Sequence, residues 1–148
     1  MDWLDDFDQK VPLAIDVMCG KNMPVGKALE ACGWAVVGFD SEPPFCTKLM
    51  DPAWVGTALQ TIQQAVAVMI AMDCSTLSRA RERPIPGWKN PPQPLRDHQH
   101  VLGKALGGRD AERVHDANQL VALTTGYATA ADDRGAAAVL ENPRNSWY

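Results

Sequence analysis

The stretch VPLAIDVMCGKNMPVGKALEACGWAVVGFD, residues 11–40, decides the fold of this chain. It opens on VPLAIDVM (11–18), an apolar run that holds one carboxylate, Asp16. CGKNMPVG (19–26) follows, with the turn formers Gly20, Asn22 and Pro24. An apolar run stopped by such residues reads as a buried strand ending in a tight loop. VGKALEAC (25–32) sets Val25, Ala28, Leu29 and Cys32 at helical spacing, and Gly33 is placed to end that helix. WAVVGF (34–39) reads as a second apolar strand, with Asp40 at its end. Strand, loop, helix and strand in this order imply parallel strands joined by a right-handed crossover.

Outward from this unit the alternation continues. The spacing predicts a helical stretch from Pro52 within Phe45–Gln64, then a third strand, AVAVMIAM (65–72). That strand is apolar throughout, as in a parallel strand covered on both faces. Asp73 and Cys74 follow it directly. Ser75–Gly108 is rich in Pro, Gly and Arg and shows little periodicity, so it reads as a long functional or mobile loop. Asp110–Ala131 is the clearest helix, with Val114, Ala117, Val121, Thr124, Ala128 and Ala131 on one stripe. AAAVL (136–140) reads as a fourth strand, and Glu141, Asn142 and Pro143 come at its end. The pattern predicts an α/β fold built on a doubly wound, mostly parallel sheet. Residues 1–10 form an acidic lead-in and 11–148 a single domain.

Composition fits a globular protein, with 46% hydrophobic and 22% charged residues. The lead-in MDWLDDFDQK lacks the apolar core of a secretory signal. The longest apolar run, 65–72, falls far short of the roughly 20 residues needed to span a bilayer. An intracellular protein that does not engage a membrane is the expectation. Four widely spaced cysteines form no CxxC pair, so no zinc ribbon, disulfide framework or other metal site is expected. The net charge of −4 excludes a chain that is basic overall, yet Arg79, Arg81, Arg83, Lys89 and Arg96 are concentrated around one acid, Glu82. Such a segment suits phosphate contacts as well as it suits a solvated loop.

In parallel α/β sheets ligands bind beyond the carboxyl ends of the strands. Asp16 to Gly20, Asp40, Cys74 and Glu141 all fall there. The loop matches neither GxGxxG nor a phosphate-binding GxxxxGK[ST], and a plain strand-to-helix turn is the other reading. Asp40, a carboxylate ending the second strand, is placed to accept hydrogen bonds from ribose hydroxyls, or simply to make a turn before Ser41. Cys74, in DCSTLSRAR, stands where neighbouring arginines favour a nucleophilic thiolate, although most cysteines are inert core residues. Core filling is the expectation for Cys19, Cys32 and Cys46. Glu141, against the apolar strand end, is placed to share a proton with a substrate, or to make a cap or salt bridge.

Taken together, these positions resemble the cytosine-5 DNA methyltransferases over roughly residues 11–145, with the motifs in family order. AIDVMCGKNMPVGKALEACGW resembles their first motif, which binds the methionine end of S-adenosylmethionine and here carries Asp16, Cys19 and Gly20. VVGFD resembles the second, whose terminal acid, here Asp40, holds the cofactor ribose. Asp51 in LMDPAW stands in the place of the acid that contacts adenine. VMIAMDCSTLSRAR resembles the catalytic Pro-Pro-Cys-Gln-x-Phe-Ser-x-Ala run: Cys74, Ser78 and Ala80 match, while Met72-Asp73, Ser75 and Leu77 depart from it. AAAVLENP resembles the motif in which Glu-Asn follows a strand, here Glu141 and Asn142.

The resemblance implies a Rossmann-like methyltransferase fold, with S-adenosylmethionine as cofactor and DNA as substrate. Cys74 and Glu141 would be the catalytic residues, and Ser78, Arg79 and Arg81 would contact DNA. The later part of that family's domain, including its target-recognition region, has no counterpart here. The expectation is therefore an incomplete sheet, as in a fragment, a gene remnant or one half of a split enzyme, in the last case with a partner chain supplying the recognition region. The alternative is a catalytically inactive, methyltransferase-like binding module.

Overall fold

The computed structural model describes residues 11–79, 83, 86–89, 92–142 and 146. Four strands, β1 (Leu13–Val17), β2 (Ala35–Phe39), β3 (Ala67–Ala71) and β4 (Ala137–Glu141), form one sheet. Their order is β2-β1-β3-β4, and every neighbouring pair is parallel. Three helices alternate with them: α1 (Pro24–Ala31), α2 (Pro52–Ile62) and α3 (Gly108–Arg134). The chain steps from β1 outward to β2, returns past β1 to β3, and continues outward to β4. The winding therefore reverses between β1 and β3, the place where parallel α/β sheets bind ligands.

Position in the sheet explains burial better than composition does. β1 has a neighbour on each side, and all five of its residues are buried. In β3 only Val68 and Ile70 are buried, whereas Ala67, Met69 and Ala71 are half-buried. The expectation of a β3 covered on both faces is corrected to one fully covered face. β4 is an edge strand with β3 as its neighbour, and all five of its residues are exposed despite the run of Ala, Val and Leu. An apolar strand shows that it can be buried, not which place in the sheet it takes.

The helices begin and end where the local chemistry directs. Pro24 and Pro52 each open a helix, where a missing N–H costs nothing. Asp51 caps α2 by accepting the Ala53 amide at 2.9 Å. In α1 the expected stripe is displaced. Gly26 is buried and Leu29 half-buried, whereas Val25, at 43% exposure, Ala28 and Cys32 face outward. Gly26 allows the close approach that a larger residue on the expected face would prevent. α3 is longer at both ends than its apolar stripe predicts, because polar Gly108–Arg109 and Asp132–Arg134 continue the helix at its solvated termini. Of the stripe, Val114, Thr124 and Ala131 are buried; so is Tyr127, which the stripe omits.

The described residues fall into two compact units. One holds residues 11–72 and Leu123–Glu141, which include the whole sheet, α1, α2 and the C-terminal half of α3. Its core is formed by Ile15, Val17, Ile62, Val68, Ile70, Thr124 and Tyr127, with the Thr124 hydroxyl donating to Met72 Sδ at 3.2 Å. The other holds Asp73–Ala122 with residues 142 and 146, and is centred on Thr76, Leu77, Leu95, Arg96 and Val114. Among the described residues no helix is long and apolar enough to cross a membrane.

Candidate functional site

The loop between β1 and α1 combines backbone strain with buried charge. After Val17 the Met18 amide still donates to Phe39 O at 2.6 Å, and then the chain turns sharply. Met18 (φ 57°), Gly20 (φ 68°) and Met23 (φ 44°) all lie in the left-handed region. Glycine adopts this conformation freely, but each methionine held there costs roughly 1–3 kcal/mol. Such strain persists only where surrounding contacts enforce it, and it clusters at functional sites.

Two carboxylates enforce it here. Asp40 Oδ2 accepts the Gly20 amide at 2.7 Å, while Oδ1 accepts the Glu42 amide at 2.8 Å. Asp16 Oδ2 accepts the Gly26 amide at 3.0 Å. Met23, at the N-cap position of α1, has no side-chain capping bond, so a residue of β1 satisfies the first turn of the helix instead. Met23 N also donates to Gly20 O at 3.1 Å, which closes the loop on itself. Gly38 on β2 leaves room for these residues: a Cβ there would lie 2.8 Å from both Met23 Sδ and Phe45 Cε1.

Both carboxylates are buried, Asp16 at 3% and Asp40 at 6% exposure. Burial pushes the Asp16 carboxyl above the ordinary carboxylate range; the Gly26 amide pulls it back, and the charge of Asp40 raises it further. Burial, followed by the charges of Asp16 and Asp40, also pushes the Cys19 thiol up to about 11. Cys19 is thus a neutral, buried thiol, as core filling requires. Among the described residues no basic side chain forms an ion pair with Asp16 or Asp40. The loop is a concave backbone turn with two like charges beside it.

The structure therefore brings Asp16, Cys19, Gly20 and Asp40 together, and it gives Asp51 a structural role at the start of α2. Cys74, Ser78 and Arg79 belong to the second unit. Cys74 is half-buried and opens a turn in which its carbonyl accepts the amides of Leu77 at 3.0 Å and Ser78 at 2.7 Å. Asp73 directs both carboxylate oxygens to Ser75, one to the amide at 2.8 Å and one to the hydroxyl at 3.0 Å. Arg79 is exposed, and Arg81 and Ala80 lie outside the described residues. Glu141 is the last residue of β4, in register with Ala71 of β3, and Cys74 is three residues beyond Ala71 in sequence.

Several expectations are corrected. Glu141 is exposed rather than set against a buried edge, because β4 is itself exposed. Cys32 and Cys46 are exposed and fill no core. Arg96, expected within the basic segment as a phosphate contact or solvated charge, is 2% exposed and forms the centre of the second unit. No periodicity flags it, since it sits in an irregular segment after three prolines.

Among the described residues no group of three or more His, Cys, Asp or Glu side chains could hold a metal ion. An open, polar depression lined by Gln63, Ala130, Asp133 and Arg134 lies where α2 and α3 end, at the amino-terminal edge of the strands and away from the β1–α1 loop. The chain matches no known family model, no curated protein and no solved structure.

Proposed function

We propose that the protein is a DNA cytosine-5 methyltransferase, with a Rossmann-like methyltransferase fold and S-adenosylmethionine as its cofactor. The observation that carries the reading is the pair of buried carboxylates, Asp16 and Asp40, beside the strained Gly20 loop without a cationic partner among the described residues. Two uncompensated like charges cost stability, and a cationic ligand removes that cost. S-adenosylmethionine carries an ammonium and a sulfonium, and its ribose offers two hydroxyl donors. Asp16 suits the cationic methionine end, and the Asp40 carboxylate has lone pairs beyond those used by Gly20 and Glu42 for a ribose. Winding of the sheet reverses at β1 and β3, in keeping with a ligand at this loop.

When bound, S-adenosylmethionine supplies an electrophilic methyl group. The chain's own residues prepare the base. The Cys74 thiolate adds to C6 of a cytosine that has left the duplex, and C5 becomes nucleophilic. Glu141 holds the ring N3 and the amino group. Methyl transfer to C5 leaves S-adenosylhomocysteine; the C5 proton then leaves to solvent and the C6–S bond breaks, which returns the Cys74 thiolate. Arg79, with Ser78 and Arg81, holds the DNA backbone. The exposure of Glu141 suits a residue that must reach a substrate. A partner chain that completes recognition belongs to the same proposal.

The test is calorimetric titration of the purified chain with S-adenosylmethionine, with Asp40→Ala alongside, followed by methyl transfer to DNA by wild type and Cys74→Ser. Saturable binding weakened by Asp40→Ala, with transfer abolished by Cys74→Ser, is expected. A folded chain that does not bind the cofactor sinks the enzyme reading and leaves an inactive, methyltransferase-like module.

A further inference from the structure

We propose that Arg96 is the positioning residue for the turn that carries Cys74, acting through Thr76; this rests on the reading of Cys74 as the nucleophile. One guanidinium engages Thr76 twice. Nε donates to the Thr76 carbonyl at 3.2 Å and Nη2 to its hydroxyl at 3.2 Å. Nη1 donates to Val101 O at 2.6 Å and to Asn118 Oδ1 at 2.9 Å. Asn118 then donates from Nδ2 to Leu102 O at 2.8 Å. A single planar group thus joins the Cys74 turn, the 95–104 loop and α3, all within the second unit.

Thr76 is the residue through which this turn is reached. Cys74 accepts the amides of Leu77 and Ser78, Asp73 fixes Ser75, and Thr76 lies between, itself buried. Its two oxygens are held from one direction by one rigid fork, so the backbone that leaves Cys74 cannot rotate without breaking both bonds. Only arginine offers donors in this arrangement; a lysine ammonium has three, radiating from one atom.

Packing alone does not account for the choice of residue. All four acceptors are neutral oxygens, so the charge of Arg96 is buried without a counter-ion among these contacts. Burial lowers its pKa from the ordinary arginine value, which marks the charge as unfavourable there. An apolar residue of similar length would fill the space at lower cost. A guanidinium kept under that cost is explained by the geometry it imposes on Thr76. Where a nucleophile must approach its target within contact distance, a misplacement of about 1 Å costs on the order of 100-fold in rate.

The test uses the full chain with Arg96→Lys and Asn118→Ala, the latter removing one acceptor and sparing the fold should the former not fold. Three quantities are read: hydrogen exchange at the Leu77 and Ser78 amides, the pH profile of Cys74 alkylation by iodoacetamide followed on its peptide, and covalent capture of DNA containing 5-fluorocytosine with S-adenosylmethionine present. Fluorine replaces the proton that must leave C5, so the Cys74 adduct persists. Arg96→Lys is expected to speed exchange at both amides about tenfold or more, to displace the alkylation profile, and to slow capture by about 100-fold. Cofactor affinity should stay within about twofold, because the cofactor loop belongs to the other unit. Asn118→Ala is expected to change the same quantities in the same direction by smaller factors. Unchanged exchange and an unchanged alkylation profile in whichever variant folds overturn the proposal. Absence of capture by the wild type sinks the methyltransferase reading instead, and exchange and alkylation then decide the Arg96 clamp by themselves.

Discussion

Asp40, at the end of β2, holds the Gly20 amide of the β1–α1 loop at 2.7 Å, so one buried carboxylate ties the end of a neighbouring strand to the turn of the loop. Its second oxygen holds Glu42 at 2.8 Å. Asp40→Asn retains one acceptor oxygen and turns N–H groups toward the other amide. A buried donor left facing a donor costs about 1–3 kcal/mol, which urea denaturation should register. S-adenosylmethionine affinity should fall about tenfold or more in the same variant. A change of stability without any change of affinity would mean that Asp40 only shapes the turn.

Asp16 separates structure from function more sharply. Its folded pKa is raised, so the protonated form is favoured in the folded state. The corresponding stability is fully present below the unfolded value, about 3.9, and is lost as pH rises through the folded value. Above the folded value the ionised group is therefore a cost. Asp16→Asn keeps an oxygen for the Gly26 amide but carries no charge. The variant should be as stable as wild type at neutral pH, or more so, and its stability should decline less as pH rises from the acid range. Binding of a cationic ligand should weaken. A dependence of stability on pH identical to that of wild type would contradict this account, since the variant has no carboxyl to titrate at this position.

These two residues were legible in the sequence because apolar runs ending in polar residues mark strand ends, and parallel topology sends all such ends to one edge. The βαβ unit, α2, β3 and α3 were legible for the same reason of periodicity. What failed depends on tertiary placement. Val25 and Cys32 have the right spacing for a buried face, yet α1 turns Gly26 and Leu29 inward. Tyr127 is 1% exposed although it lies outside the apolar stripe of its helix; burial raises its pKa. Arg96 is the largest miss, because a buried cation satisfied by carbonyls is defined by partners at positions 76, 101 and 118. No local pattern contains them.

Gly38 tests whether the loop's packing is as tight as its strain implies. A Cβ there meets Met23 Sδ and Phe45 Cε1 at 2.8 Å and Cys19 Sγ at 3.2 Å. Met23 is buried and its side chain packs closely over Gly26 on the other side, so it has little room to yield. Gly38→Ala should destabilise the protein by about 1–3 kcal/mol, the usual cost of overpacking. Met23→Ala in the same chain should recover part of that loss by vacating the space. Thermal denaturation of both variants and their combination provides the check. Strict additivity would mean that Met23 and residue 38 do not compete for this space.

The second unit has its own pH signature. His100 Nδ1 lies 2.8 Å from Asp97 Oδ1, and Lys104 Nζ lies 3.3 Å from Oδ2. The His100 side chain, followed by the Gln99 amide, the Lys104 side chain and the His100 amide, draws the Asp97 carboxyl down to about 2. A depressed carboxyl contributes stability that is fully present above its unfolded value, about 3.9, and is lost as pH falls through the folded one. Asp97 should thus still be ionised where ordinary aspartates are half protonated, a titration that NMR of its carboxyl carbon follows directly. The group is exposed, so added salt should move the midpoint back toward the ordinary range. Asp97→Asn should remove the corresponding part of the pH dependence and speed exchange at the Gln99 and His100 amides, which Asp97 accepts at 3.0 and 2.9 Å. A wild-type midpoint near 3.9 that salt does not move would show that these contacts do not hold the 95–104 loop in solution.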